Sequence, residues 1–146
     1  VCAGDGEYRQ QLDTEIDRLG LIGRVRMLGF RNDIEDVMAA MDVVVLTSLW
    51  EGLPRVLVQA AALQKPIVTF AVEGAAELVA DGRNGYIIPL RDVRQLQKRL
   101  TEFVQQPSRA LNMGRHSRSF VSTDWERETM VRRIYDVYDT CLCTRH

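Results

Sequence analysis

The chain has 146 residues, 46% of them hydrophobic and 27% charged, with a formal net charge of −1 at pH 7. These values fit one globular domain and give no bulk electrostatic ground for binding nucleic acid or a membrane surface. No apolar run approaches the ~20 residues that cross a bilayer, and the three cysteines, an odd set, argue against a disulfide framework and for a reducing compartment.

Val1-Cys2-Ala3 stands where an initiator methionine would be and reads as the tail of a strand already in progress, as in a fragment with upstream structure missing. Gly4-Asp5-Gly6 follows, then a helix over Tyr8 to Leu19 closed by Gly20. Arg24 to Phe30 alternates as a strand, with Val25, Met27 and Leu28 apolar, and Asp33 is placed to cap a helix running to Met41. Val43-Val44-Val45-Leu46 is short, β-branched and continuous, the signature of a parallel strand buried on both faces, here extending to Ser48. A helix over Pro54–Leu63 contains three consecutive alanines and begins on a proline, which suits its first position.

A strand over Pro66–Ala71, a short helix near Ala75–Ala80 and a strand over Gly85–Ile88 come next, with the turn Asp81-Gly82-Arg83-Asn84-Gly85 rich in residues that tolerate positive φ. From Asp92 onward the pattern is helical, over Val93–Val104, Ser108–Val121 and Trp125–Cys141. The last of these carries Trp125, Val131, Ile134, Tyr135 and Tyr138 near helical spacing, which reads as core packing rather than a binding platform. Strands alternating with helices imply an α/β fold, a Rossmann-like parallel sheet flanked by helices with a helical C-terminal tail.

Chemistry concentrates at Ser48-Leu49-Trp50-Glu51-Gly52-Leu53-Pro54-Arg55. A lone carboxylate, Glu51, sits on a tight turn at the carboxyl end of a buried strand, directly ahead of a helix start whose free N–H groups favour anions such as phosphate. Other nucleotide motifs do not fit. The third glycine of a dinucleotide fingerprint starting at Gly4 would fall at Arg9, and Gly29-Phe30 supplies no acid for a ribose. No Walker sequence occurs, the strands do not end in the aspartates of a receiver domain, and His116 and His146 lie in the helical tail, away from any Ser-His-Asp arrangement. Cys141, Cys143 and His146 at the terminus lack a second ligand pair and read as no metal site.

The run Ser48 to Ala60 resembles the donor-site signature of the retaining GT-B glycosyltransferases of group 1: a glutamate, a glycine-containing turn, then a helix with a second glutamate eight positions on. Gly4-Asp5-Gly6, Val25–Phe30 with Asp33, Glu73-Gly74-Ala75-Ala76-Glu77-Leu78-Val79 and Asp81–Tyr86 resemble that family's other segments in the same order, so the resemblance covers most of the chain. It implies the C-terminal, donor-binding domain of such an enzyme, residues 1–146 forming a single nucleotide-sugar-binding domain that lacks its first strand–helix unit and the N-terminal acceptor domain. The full-length protein would transfer a hexosyl group, with retention, from a nucleoside diphosphate sugar such as a UDP-sugar to an acceptor in polysaccharide or glycoconjugate biosynthesis. No metal or other cofactor is implied, and the chain alone would be inactive in transfer and at most a weak nucleotide-sugar binder.

On this resemblance Glu51 is the catalytic carboxylate, contacting the donor sugar, while Gly52, Leu53, Pro54 and Arg55 line the diphosphate site. The N–H groups of Leu53, Arg55 and Val56 suit a diphosphate, and Pro54 has none to give. Gln59 occupies the place of the second glutamate and would grip the ribose through neutral hydrogen bonds. Phe30 and Arg31 fall where the family holds the nucleobase, Glu73 and Gly74 line the sugar pocket, and Glu77 is a structural acid. A cytoplasmic protein follows, with peripheral association of the full-length form at the inner face of the membrane left open. Two alternatives stand beside this: a nucleotide-sugar epimerase of the same fold class, and a degenerate domain kept for binding or assembly, which Gln59 favours.

Overall fold

The computed structural model describes residues 1–121 and 125–143. The chain divides into two compact units, Val1–Val37 and Met38–His146. In the first, helix α1 spans Arg9–Arg18 and ends where Gly20 turns at φ +65°. Exposed ion pairs Arg9–Asp13 at 3.0 Å and Arg18–Glu15 at 2.8 Å decorate it.

The expected strand Arg24–Phe30 is not formed; only isolated bridges join Cys2 to Met27 and Gly4 to Gly29. Cys2 N–H donates to the Arg26 carbonyl and Leu28 N–H to that of Cys2, both at 2.8 Å, a correct start to a parallel ladder. Gly4 at φ +126° and Gly29 at φ +67° then turn both backbones out of the extended region, which stops the ladder after one step. Helix α2, Ile34–Ala39, follows Asp33 but ends short of Met41.

In the second unit β1 (Val44–Leu46), β2 (Ile67–Phe70) and β3 (Gly85–Ile88) form an all-parallel sheet in the order β1-β2-β3, with Val44 opposite Ile67 and Ile67 opposite Gly85. Between them run α3 (Arg55–Ala62) and α4 (Ala75–Leu78), and after them α5 (Val93–Gln105), α6 (Pro107–Ser117), a 3₁₀ turn at Arg118–Phe120 and α7 (Arg127–Cys143). The α/β class read from the sequence is the one observed. Every residue of β2 is buried, as continuous apolar strands of parallel sheets are. The core gathers Leu57, Ala60 and Ala61 of α3, Leu78 of α4, Tyr86 and Ile88 of β3 and Phe103 of α5 around it.

Polar side chains tie the later loops down. Buried Asn84 accepts from Ala80 N–H and donates to the Leu78 carbonyl, both at 2.8 Å, so it closes the turn that precedes β3. At the α5 side, Arg99 donates to both carboxylate oxygens of Glu102 at 3.0 and 3.1 Å and lies 4.3 Å above the Tyr86 ring. The Tyr86 hydroxyl donates to Glu102 at 3.3 Å. Burial pushes the Tyr86 pKa up. On Glu102 burial also acts upward, but the hydrogen bond and charge of Arg99 outweigh it and hold the carboxyl below its ordinary value.

The tail departs from expectation. α7 has no buried residue, and Ile134 is 46% and Tyr138 62% exposed, so the apolar stripe with Val131 and Tyr135 does not pack into the core of the described residues. Helical periodicity marks an apolar face; it does not say which surface covers it.

Two loops leave the carboxyl ends of β1 and β2 and meet. Gly74, at φ +74°, caps α4, and a Cβ there would stand 2.6 Å from the Gly52 carbonyl oxygen and 3.2 Å from Pro54 Cδ. Only glycine lets these backbones approach so closely while holding a left-handed conformation. Gly74→Ala should therefore destabilise the fold by about 1–3 kcal/mol. Urea unfolding measures the loss, and amide shifts at Leu53, Arg55 and Val56 should report the displaced turn; an unchanged spectrum there would mean that the contact positions nothing.

The Glu102 pairing makes a second prediction. Its folded pKa lies below the unfolded value, so its contribution is present above that value and is lost as pH falls through the folded one. Glu102→Gln should flatten the acid limb of stability, read as urea midpoints between roughly pH 6 and pH 3.

Candidate functional site at the carboxyl ends of the strands

β1 ends at Leu46, and the chain then forms an open cleft of about 700 Å³ lined by Thr47, Ser48, Leu49, Trp50, Glu51 and Gly52. Glu51 is half-buried in that turn, while Gly52 and Leu53 are exposed. Pro54 is buried and is the N-cap of α3, with φ −73° and ψ 91°, so the helix begins at Arg55, one residue after the position expected. The shift follows from the extended ψ of Pro54, which keeps it out of the helix, and its missing N–H costs nothing there. Leu57 N–H donates to the Pro54 carbonyl at 2.9 Å. The amides of Arg55 and Val56 precede the first intrahelical bond and point out of the helix start, where the macrodipole places about half a positive charge.

Arg55 is exposed and Gln59, one helical turn on, is half-buried. From β2 the chain reaches exposed Glu73 and half-buried Gly74, whose backbone touches Gly52 and Leu53. The structure thus brings together the turn Glu51–Arg55 and the loop Glu73–Gly74. Neither Glu51 nor Glu73 makes a salt bridge among the described residues.

Phe30 and Arg31 belong to the other unit, directly after Gly29. Phe30 is 78% exposed. Arg31 grips Asp33, its Nε donating to the carboxylate at 2.7 Å and its Nη2 to the second oxygen. That hydrogen bond and charge push the Arg31 pKa up and the Asp33 pKa down. Asp33, expected to cap α2, precedes that helix with both carboxylate oxygens accepting from Arg31.

Sequence reasoning gave no role to Trp50, which lines the cleft beside Glu51 and is 82% exposed. The available signal was an indole in a strand-end turn, outside any apolar period. Cys141 and Cys143 on α7 are exposed, and His146 lies outside the described residues. Among the described residues no group of three or more His, Cys, Asp or Glu is placed to hold a metal, and no helix is long and apolar enough to cross a membrane.

Known proteins resemble this chain in sequence and in fold. The chain is 31% identical over 140 residues to the UDP-Gal:alpha-D-GlcNAc-diphosphoundecaprenol alpha-1,3-galactosyltransferase of Escherichia coli, covering 94% of this chain and 36% of that protein. It is 29% identical over 127 residues to the lipopolysaccharide core biosynthesis glycosyltransferase LpsE of Rhizobium meliloti, covering 87% of this chain and 37% of that one. The structure of Anabaena HepE in complex with UDP-glucose superposes with a TM-score of 0.87 at 32% identity, over 94% of this chain and 40% of HepE. The C-terminal domain of the group 1 family protein LpcC of Francisella tularensis, at 20% identity and a TM-score of 0.75 over 83% of this chain and 64% of that one, has the same fold. The chain thus spans well under half the length of the full relatives it matches, and the fold is that of the C-terminal part of a GT-B enzyme. With residues 1–120 matching the family of glycosyl transferases group 1, and its strand-end turns in that family's order, the chain belongs to the group 1 glycosyl transferases.

Proposed function

We propose that this chain is the donor half of a transferase that moves a hexosyl group, with retention, from a nucleoside diphosphate sugar to an acceptor held by the rest of the protein. The observation that carries this reading is half-buried Glu51, lining the cleft just ahead of the α3 N-terminus, on a chain alike to UDP-glucose-bound HepE over 94% of its length. The diphosphate meets the amides of Arg55 and Val56 and the positive end of α3. Glu51 accepts hydrogen bonds from the sugar hydroxyls, Gln59 contacts the ribose, and the Phe30–Arg31 segment holds the base through its backbone. Gly52, Leu53 and Pro54 shape the diphosphate side, and Glu73 and Gly74 wall the sugar. The match to group 1 transferases displaces the epimerase alternative.

Two features support a larger protein around this chain. Val45, in the middle of β1, is 41% exposed on a strand that, among the described residues, pairs with β2 alone, where inner strands of parallel sheets are buried on both faces. An upstream strand–helix unit would cover that edge, and the acceptor domain would cover the apolar stripe of α7. Transfer then resides in the full-length protein, in the cytoplasm or peripherally at the inner face of the membrane. The non-catalytic reading retains one observation in its favour, Gln59 at the place of a glutamate.

Titration calorimetry with UDP-, GDP- and ADP-sugars on the polypeptide containing this chain tests the donor role; a well-folded sample that binds none of them would favour the non-catalytic reading. Glu51→Ala should cut transfer about ten- to hundredfold, as the loss of charge-assisted hydrogen bonds does. Its unfolding free energy should change by no more than about 1 kcal/mol; an unchanged transfer rate would sink the role. Gln59→Glu should tighten donor binding about fivefold by making the ribose contact charge-assisted, and weaker binding would remove the ribose from this position.

A further inference from the structure

We infer that Trp50 is the stacking face for the donor's hexose, its indole lying against the C–H side of the pyranose while Glu51 takes the hydroxyls. This rests on the donor-site reading above and adds an apolar contact to it. Trp50 lines the cleft together with Thr47, Ser48, Leu49, Glu51 and Gly52. It is 82% exposed, and no other large apolar side chain among the described residues is more so. Among those residues its ring meets no other aromatic ring and no guanidinium. Tryptophan is highly buried on average, so an indole left bare beside half-buried Glu51 marks a surface that something else covers.

The rest of the lining identifies the occupant. Glu51 carries two acceptor oxygens, and Thr47 and Ser48 carry hydroxyls that donate and accept. Such a lining matches a ring that is polar at its rim and apolar on its faces. A pyranose is built that way. Its hydroxyls point outward, and its axial C–H bonds present a face with slight positive charge, which complements the negative face of an indole. A protein surface laid over Trp50 would close over Glu51 as well, stripping water from a carboxylate that has no salt-bridge partner among the described residues. One sugar ring satisfies both side chains. The amides proposed for the diphosphate lie further along the same turn, at Arg55 and Val56, which leaves the indole at the sugar end.

The test compares the nucleotide sugar that the panel above selects with the same nucleoside diphosphate lacking its sugar, UDP-glucose and UDP in the first instance. Covering one face of an indole with a sugar ring is worth about tenfold in affinity. In titration calorimetry of the polypeptide containing this chain, Trp50→Ala should therefore weaken UDP-glucose about tenfold. UDP should change by less than about twofold, and its retained binding shows that the variant is folded. Trp50→Phe keeps an aromatic face and should stay within about threefold of the wild type for UDP-glucose. Tryptophan emission should shift to the blue with UDP-glucose and not with UDP, and that shift should vanish in Trp50→Phe. Equal losses of UDP and UDP-glucose would put the base on the indole, and no loss of either would leave the indole to the acceptor or to another part of the polypeptide. Each of these results overturns the inference and leaves the donor site standing. Failure of every nucleotide in the panel to bind the wild type overturns the donor reading, and this inference with it.

Discussion

Parallel pairing of β1 with β2 is the constraint from which the site follows. Strands that run the same way deliver the loops after them to the same end of the sheet, and here those loops carry Glu51 and Glu73. β2 is buried throughout, so its register against β1 is strongly specified; a slip by one residue would move apolar side chains to the wrong face. Gly74 then allows the two loops to meet at the Gly52 carbonyl. That approach fixes the end of the turn from Thr47 to Gly52 that lines the cleft.

Much of the second unit was legible because its signals are local. The apolar β-branched run at Val43–Leu46, the proline and alanines of α3 and the Asn-Gly turn before β3 each act over a few residues, and each element appears within about two residues of its expected bounds. Gly85–Ile88 is observed with the limits read from the sequence. Two expectations failed for one reason, that they depended on partners the sequence does not name. Arg24–Phe30 has the alternation of a strand, but glycines with positive φ on both segments cut its ladder short. The stripe on α7 has the period of a core face, yet no described residue buries it.

The site divides along the same line. That an anion belongs ahead of α3 follows from a strand end, a proline and a helix start. The readings of that anion as a diphosphate and of Glu51 as a sugar contact came from resemblance and not from spacing. Trp50 was passed over because exposure is a tertiary property; an indole in a turn has the same local sequence whether it is covered or open.

On the proposed reading, the chain also explains why it would not act alone. The start of α3 offers about half a positive charge, and Arg55, exposed on the first turn, adds one more that solvent screens. A diphosphate brings two negative charges, and glycosyl transfer adds to the charge on the leaving phosphate as the bond to the sugar breaks. Stabilising that increment takes fixed donors or cations placed where the charge develops, in a site closed to water. The cleft at Glu51 is open, and the charged residue that lines it is an acid. On that reading its carboxylate suits the hydroxyls of a sugar and a cationic transition state at its anomeric carbon, but it does nothing for the departing phosphate. On that reading the cations that would complete the site lie beyond the strand ends of β1 and β2, which would make binding a property of this half and turnover a property of the whole.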